Sequence, residues 1–379
     1  MYHPINKIIC PPLDKLNDLA RLTLEFCLTQ TLALSEEEIR DSFVLHFTVN
    51  SFDKAGEWLW GKTTLVKPLV LRLIVLPTFE KQEIYTAYLQ NHNLEARFAA
   101  GFFVPVPLPP VSQVAYDAAA ELAGNFYKIL CDGVPGKIIG ETEPLNRQTV
   151  LRAYANAQRV IHLNVCPGCD GAPPSTTADG LLHEDIDHFF PKSKYPFLSI
   201  HPLNLTPYCK NCNQTYKSSK DSVLDNDPLV EDVHTLEEIY HPYERPAKNE
   251  IALEIAPAPD NSPAYRFTCV SDAAPYPARL HSLQYVLNIE SRWTGELKEE
   301  RVEAILSGLL LYGSQNDREG DFQPTIEWLN GQLTTAINTL DHQQGKQYLY
   351  VPALSYVRWV ANDPNQKSLW LNRAQNSLF

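Results

Sequence analysis

Residues 187–213, DHFFPKSKYPFLSIHPLNLTPYCKNCN, carry a dense set of chemically useful side chains. The segment begins with an adjacent aspartate and histidine and ends with two cysteines and an asparagine. Its prolines indicate loops, and Asp187–His188 is expected to end a short strand before the first of them. An earlier cysteine pair lies in CPGC, residues 166–169, so that two Cys-x-x-Cys pairs enclose the Asp-His dipeptide. We expect this arrangement to organise the centre of the chain.

The composition of the whole chain is that of a globular protein. The chain has 379 residues, of which 44% are hydrophobic and 20% charged, and this length is enough for two or three domains. It has no apolar run of about 18 residues that would predict a membrane span. The N-terminus, MYHPINKIICPPLDK, lacks the basic-then-apolar layout of a signal peptide. We therefore expect a cytoplasmic protein without membrane association.

The paired cysteines, Cys166/Cys169 and Cys209/Cys212, predict a structural zinc site. Four thiolates can complete the tetrahedral coordination of Zn²⁺. Pairing at this spacing in a cytoplasmic chain favours a metal over disulfides. Redox chemistry is the alternative, but no thioredoxin-like context accompanies the two pairs. We expect zinc to join the two pairs and to fix the residues between them.

The ordered motif resembles the HNH, or ββα-metal, endonuclease family. CPGC, DHFFP and NLTPYCKNCN match the zinc-stapled pattern C-x-x-C, D-H-x-x-P, N-L-x-x-x-C-x-x-C-[HN] in order and spacing, within residues 166–220. The run IDHFFPKSKYPFL is also similar to HNH proteins of bacterial anti-phage systems, including the nuclease subunit of Septu-type systems. The resemblance implies an endonuclease acting on DNA, with RNA left open. It also implies a protein partner such as a defence-system ATPase.

The chemistry of phosphodiester cleavage agrees with these residue types. A neutral histidine can take a proton from water near pH 7, and carboxylate and amide oxygens suit a hard cation. The resemblance makes His188 the general base, and Asp187 and Asn213 the ligands of a catalytic Mg²⁺ or Mn²⁺. It makes Asn204 the residue that steadies the loop and orients the histidine. Some family members have a metal-binding histidine where this chain has Lys217, so we expect a phosphate contact there.

The charge of the chain is uneven. The formal net charge is −13, which argues against a general nucleic-acid coat. However, no acid occurs from His188 to Lys220, whereas residues 221–260 are rich in acids. We expect one local anion-binding surface, formed by Lys192, Lys194, Lys210, Lys217 and Lys220.

We expect an α+β fold in which mostly helical flanking regions surround a central zinc-stapled ββα-metal module. The predicted division is a largely helical region 1–145, a nuclease module 146–225, and an acidic loop and helical region 226–379. Apolar spacing near 3.6 predicts helices over residues 13–30, 113–130, 146–162, 283–293, 299–313 and 325–340. KPLVLRLIVLPTF, residues 67–79, fits either a buried strand or a core helix.

Two further motifs have poor local context. GEWLWGKT, residues 56–63, has the spacing of a phosphate-binding loop, but tryptophans do not suit backbone wrapped closely round a phosphate. We expect the tryptophans to pack in a core instead. HEDIDH, residues 183–188, approaches the zinc-protease motif H-E-x-x-H, but His188 lies at i+5 rather than i+4, off the helical face of His183.

A non-catalytic protein is the alternative to the nuclease. A zinc-stapled nucleic-acid-binding or assembly module would need the four cysteines. Binding alone would not require Asp187, His188 and Asn213 together. These three residues therefore distinguish the two hypotheses.

Overall fold

The computed structural model describes residues 3–30, 34–100, 111–171, 186–223, 235–257, 263–296, 304, 307–308, 324–343 and 350–377. Over these residues the chain is mostly helical and has two small antiparallel sheets of two strands each, which fits the predicted α+β class. Within the same residues, no helix has the length and apolar character needed to cross a membrane.

The helices lie on both sides of a central segment that has little regular structure. The N-terminal helices are α1 Pro11–Thr29, α2 Glu36–Val49, α3 Ala55–Trp60, α4 Lys67–Ile74, α5 Thr78–His92, α6 Leu94–Ala100, α7 Gln113–Asp132 and α8 Arg147–Val160. The C-terminal helices are α9 Tyr276–Leu287, α10 Ile289–Glu296, α11 Ile326–Gln343, α12 Tyr350–Asn362 and α13 Pro364–Ser377. The strands are β1 Asp187–His188, β2 Leu205–Thr206, β3 Ile251–Pro257 and β4 Pro263–Cys269. Short 3-10 turns are Gly136–Ile138, Pro196–Leu198, Pro202–Asn204, Leu236–Glu238 and Ala247–Asn249, and Asn211–Lys217 is a π-helix.

Most of the predicted helices are confirmed. Helices α1, α7, α8 and α11 cover the segments with the clearest apolar spacing, and the ambiguous segment 67–79 begins with helix α4. The predicted helix 283–293 is divided, because Asn288 adopts a left-handed conformation with φ of 46° between α9 and α10. Most of segment 299–313 lies outside the described residues.

The predicted acidic loop in region 226–379 is wrong for one part of it. Strands β3 and β4 form a seven-residue antiparallel hairpin, in which Ile251 pairs with Cys269 and Pro257 with Pro263. Pro257 and Pro263 pair at one end of this ladder, where a missing N–H costs little.

The GEWLWGKT motif is part of a helix packing contact rather than a phosphate loop. Its first residues belong to α3, and Leu59 and Trp60 are buried. A Cβ added to Gly56 would lie 2.7 Å from the Cα of Val44 in α2. The glycine therefore allows two helices to approach closely, and the predicted use of the motif in a core is confirmed.

Two hydrophobic cores meet at the central segment. The first is formed mainly by α1–α5, α7 and α8 and includes Ile186, Ile200 and Leu205. The second joins the paired cysteines to the C-terminal helices and takes in Leu94 and Phe98 of α6. Both cores cross the proposed boundaries of the central module, and the three-part division of the chain stays a prediction.

Candidate active site and metal centre

The four paired cysteines lie together and can bind a zinc ion. The Sγ atoms of Cys166, Cys169, Cys209 and Cys212 are buried and lie within 4.8 Å of one another. The Cys166–Cys212 separation is 3.7 Å and the Cys169–Cys209 separation is 3.9 Å. Tetrahedral zinc with Zn–S bonds of about 2.3 Å requires sulfurs about 3.8 Å apart, whereas a disulfide requires about 2.05 Å. The donors and their spacing therefore fit zinc.

The local backbone supports this arrangement of thiols. The Cys209 N–H donates to Cys166 Sγ over 3.3 Å. A Cβ on Gly168 would lie 3.2 Å from Cys212 Sγ, so the turn between the first two cysteines has little space for a side chain. Hydrogen bonds from the other three thiols lower the pKa of Cys209, which favours a thiolate there.

Helix α10 contributes two contacts to the cysteine cluster. Arg292 Nη1 donates to Cys212 Sγ over 3.2 Å, and its guanidinium lies 4.1 Å from the centre of the Tyr216 ring. Trp293 Nε1 donates to the Cys169 carbonyl over 2.8 Å. A cation beside a thiolate offsets negative charge in the ligand set. The C-terminal region thus takes part in the metal centre.

Asp170 connects this centre to the N-terminal segment and to helix α12. Its Oδ1 is 2.6 Å from His3 Nε2, and its Oδ2 accepts the Val351 N–H at the start of α12 over 3.0 Å. Asp170 is fully buried, and its backbone adopts the left-handed conformation with φ of 54°. Sequence analysis missed Asp170, His3 and Arg292, because their partners lie far away in sequence and no local motif connects them.

Strand β1 places the Asp-His dipeptide in a cleft. Asp187 pairs with Thr206 and His188 with Leu205 across the β1–β2 ladder. The cleft has a volume of about 650 Å³. Its described lining residues include the predicted Asp187, His188, Asn213, Lys192 and Lys217, together with Tyr127, Cys131 and Arg147 from the flanking helices. Among these residues the cations outnumber the acids, so the cleft suits an anion.

The hydrogen bond of His188 defines its tautomer. Its Nε2 lies 2.8 Å from the Ser199 carbonyl oxygen. Because a carbonyl oxygen only accepts, Nε2 carries the proton and Nδ1 keeps its lone pair. Burial lowers the pKa of His188 to about 3, assisted by the charges of Lys192 and Lys217. The imidazole is therefore neutral at pH 7, as a general base must be.

The two carboxylate oxygens of Asp187 differ in their contacts. Its Oδ1 is 3.3 Å from Lys217 Nζ. Its Oδ2 is buried and has no hydrogen-bond partner among the described residues. Burial raises the pKa of Asp187 to about 6, and Lys217 opposes that rise. A buried carboxylate oxygen without a partner fits a hard cation, because such an ion satisfies the oxygen.

Asn213 lies in the same cleft, on the π-helix Asn211–Lys217. The α-helix that a ββα-metal module would have here is instead a π-helix of seven residues. The Ser218 N–H donates to the Asn213 carbonyl over 2.8 Å, an i to i+5 bond, and Ser218 ends the helix with φ of 46°. The wider turn still places Asn213 and Lys217 on the wall facing β1, and π-helices occur often at functional sites.

Asn204 holds the loop that precedes it. Its Oδ1 accepts the Phe190 N–H over 2.6 Å, and its Nδ2 donates to the Phe190 and Leu198 carbonyls over 3.1 and 2.9 Å. Asn204 is fully buried and is not among the lining residues of the cleft. It fixes the segment that presents the Ser199 carbonyl to His188, which agrees with a steadying role.

The five predicted anion-binding lysines separate into two groups. Lys192 and Lys217 line the cleft, and Lys192 Nζ lies 4.3 Å above the Tyr127 ring. The other three are not among its lining residues. Lys194 Nζ is 3.7 Å from Asp221 Oδ2, Lys220 Nζ donates to the Tyr285 carbonyl, and Lys210 is exposed. His183, Glu184 and Asp185 lie outside the described residues.

Sequence analysis also missed Tyr127 and Arg147. Arg147 is the first residue of α8, whose start is fixed by Asn146, since the Asn146 side chain accepts the Thr149 N–H over 3.0 Å. A capping residue before an apolar periodic run was the available signal for this helix start. Nothing in the local sequence indicated that the helix start borders the cleft.

Comparisons with known proteins give little further assignment. No family model matches the chain, and no solved structure matches it. The chain is 37% identical over 92 residues to protein ea31 of Escherichia phage lambda. The match covers 24% of this chain and 25% of the phage protein. The chain therefore spans about a quarter of the length of this relative.

Proposed function

We propose that this chain is a metal-dependent HNH endonuclease that hydrolyses phosphodiester bonds of DNA. The observation that carries the proposal is the 2.8 Å contact between His188 Nε2 and the Ser199 carbonyl, beside Asp187 in one cleft. The contact leaves Nδ1 as the basic nitrogen of a neutral imidazole. A base next to a partly unsatisfied carboxylate supports hydrolysis better than it supports binding alone.

Each residue of the cleft has a role in this proposal. His188 Nδ1 accepts the proton of the attacking water. Asp187 Oδ2 and the Asn213 side chain would hold Mg²⁺ or Mn²⁺. When bound, that cation polarises the phosphate, stabilises developing charge on the leaving oxygen and makes the water more acidic. Lys192 and Arg147 neutralise the flanking phosphates.

The cysteine cluster has a structural role in the proposal. Zinc held by Cys209 and Cys212 fixes the start of the π-helix that carries Asn213. Cys209 also follows β2, which pairs with β1. The metal centre thus keeps the two walls of the cleft in register, as structural zinc sites do in small domains.

We also propose an anti-phage role in which a protein partner, such as an ATPase, controls the nuclease. The similarity of IDHFFPKSKYPFL to HNH proteins of defence systems supports this role. The net charge of −13 agrees with docking to a protein at least as well as with clamping DNA over a wide surface. The cationic residues of the cleft then supply local contact with the nucleic acid.

A cleavage assay tests the proposed activity. Supercoiled plasmid and single-stranded DNA are incubated with the zinc-loaded protein and Mg²⁺ or Mn²⁺, and RNA is assayed in parallel. We expect the native protein to cut DNA, His188→Ala to lose cutting, and the exposed-histidine control His342→Ala to retain it. DNA binding without cutting by the native protein would favour the non-catalytic module. Equal cutting by His188→Ala and native protein would show that the assignment is wrong.

A further inference from the structure

We propose that Lys217 shares the Asp187 carboxylate with the divalent cation and so keeps the cation affinity of the DNA-free protein low. This inference rests on the proposed nuclease function. Lys217 Nζ is 3.3 Å from Asp187 Oδ1, and the two side chains are only 1% and 6% exposed. Lys217 is thus a buried partner of a carboxylate, whereas the sequence had predicted a lysine that contacts phosphate.

The π-helix accounts for the position of Lys217. The Asn213 carbonyl accepts the Ser218 N–H, so one wide turn separates the candidate ligand Asn213 from Lys217. Both side chains line the same cleft as Asp187. An ammonium group has three donors and no lone pair, so Lys217 cannot be a third ligand. It acts as a fixed positive charge beside the ligands.

The two oxygens of Asp187 have different environments. Oδ1 faces Lys217, and Oδ2 is buried without a partner among the described residues. A cation that binds Oδ2 therefore joins an existing ion pair instead of replacing it. Lys217 and the cation then repel each other across one carboxylate, and this repulsion is strong because the site is shielded from water.

A phosphate group relieves this repulsion. Its negative charge attracts both the divalent cation and the ammonium of Lys217, so the cation and the phosphate strengthen each other's binding. In the DNA-free protein, Lys217 neutralises the Asp187 carboxylate. The protein therefore takes up the catalytic cation mainly together with the substrate. Lys217 thus couples loading of the metal to the presence of nucleic acid.

Titration with Mn²⁺ tests the proposal without an activity assay. The zinc-loaded full chain is titrated at pH 8, and free Mn²⁺ is measured by electron paramagnetic resonance. We expect Lys217→Gln to bind Mn²⁺ at least about tenfold more tightly than the native protein. Lys54→Gln makes the same charge change at an exposed position outside the lining of the cleft and should match the native protein. Asp187→Asn should weaken binding. Unchanged or weaker binding by Lys217→Gln would overturn the proposal.

Loss of one partner of a buried ion pair destabilises a protein, so a second measurement is needed. Lys217→Gln and the apolar variant Lys217→Met are melted with and without Mn²⁺. Both should gain more in melting temperature from Mn²⁺ than the native protein, and an equal or smaller gain contradicts the inference. The cleavage assay separates the two proposals. Cutting by native protein with unchanged Mn²⁺ affinity in both variants rejects only the role of Lys217. Tighter Mn²⁺ binding without any cutting rejects only the nuclease.

Discussion

The Tyr127 ring of α7 meets the His188 imidazole edge to face, with ring centres 4.6 Å apart and planes at 69°. The same ring lies beneath Lys192 Nζ at 4.3 Å. An aromatic edge-to-face contact favours one relative orientation of the two rings. Tyr127 lies in a flanking helix, yet its ring lines the cleft. We expect the ring to orient both His188 and Lys192.

Removal of the Tyr127 ring should slow DNA cleavage. We expect Tyr127→Ala to lower kcat about tenfold to a hundredfold, because a freed imidazole no longer keeps one orientation. The effect on KM should be smaller. Tyr127→Phe retains the ring and should restore most of kcat. The half-buried Tyr116 lies in the same helix, and Tyr116→Ala provides the matched control. A Phe variant as slow as the Ala variant would show that the ring contact is not the cause.

Disruption of the cysteine cluster should destabilise the protein. We expect Cys209→Ser to reduce the zinc content below one equivalent per chain and to lower the free energy of unfolding by about 3 kcal/mol or more, because structural zinc binding contributes directly to folding. Zinc analysis and melting with and without a chelator measure both effects. Cys131 is exposed, and Cys131→Ser should melt like the native protein. Normal zinc content and melting in Cys209→Ser would contradict a structural zinc site.

Loss of the Asp170 carboxylate should loosen the N-terminal segment and the start of α12. Asp170→Asn keeps a residue that tolerates the left-handed backbone, but it puts an NH2 group in place of one acceptor oxygen, so only one of the contacts to His3 and Val351 keeps an oxygen acceptor. We expect the free energy of unfolding to fall by about 2–4 kcal/mol, together with faster proteolysis near residue 3 and at the start of α12. Asp53 is exposed, and Asp53→Asn is the control. Urea unfolding and limited proteolysis are the measurements. Native values for Asp170→Asn would show that the contacts of Asp170 with His3 and Val351 do not stabilise the protein.

The parts of the fold that depend on local pattern could be predicted from the sequence. Helices α1, α7 and α8 bury one face each, and their apolar residues repeat accordingly. The four-cysteine cluster could also be predicted, because the spacing within each Cys-x-x-Cys pair is a local property of the sequence. In contrast, the β3–β4 hairpin is short and proline-bounded, so its alternation was masked by turn signals.

The parts of the site that depend on long-range packing could not be predicted. The sequence indicated that Asp187, Asn213 and Lys217 belong to one motif, but not that a buried lysine faces the carboxylate. That contact follows from a π-helix, which differs from an α-helix by one residue per hydrogen bond and leaves no clear sequence signature. Tyr127 and Arg147 reach the cleft only through packing of α7 and α8 against the central segment.

Acid should destabilise the protein through histidines that the fold keeps neutral, and the half-buried His201 is one case. Its Nε2 donates to the His92 carbonyl over 3.1 Å and its Nδ1 accepts the Leu203 N–H over 3.3 Å, so both nitrogens are used by the neutral ring. Burial lowers the pKa of His201 to about 4. Between about pH 6.5 and 4 the unfolded chain binds the proton and the folded chain does not. Stability therefore falls as the pH falls, by up to about 1.4 kcal/mol per pH unit for this residue.

His201→Gln keeps a donor and an acceptor without titrating. The unfolding free energy of this variant, measured by urea titration, should decline less steeply than that of the native protein across this pH range. Parallel declines for variant and native protein would show that His201 is not responsible.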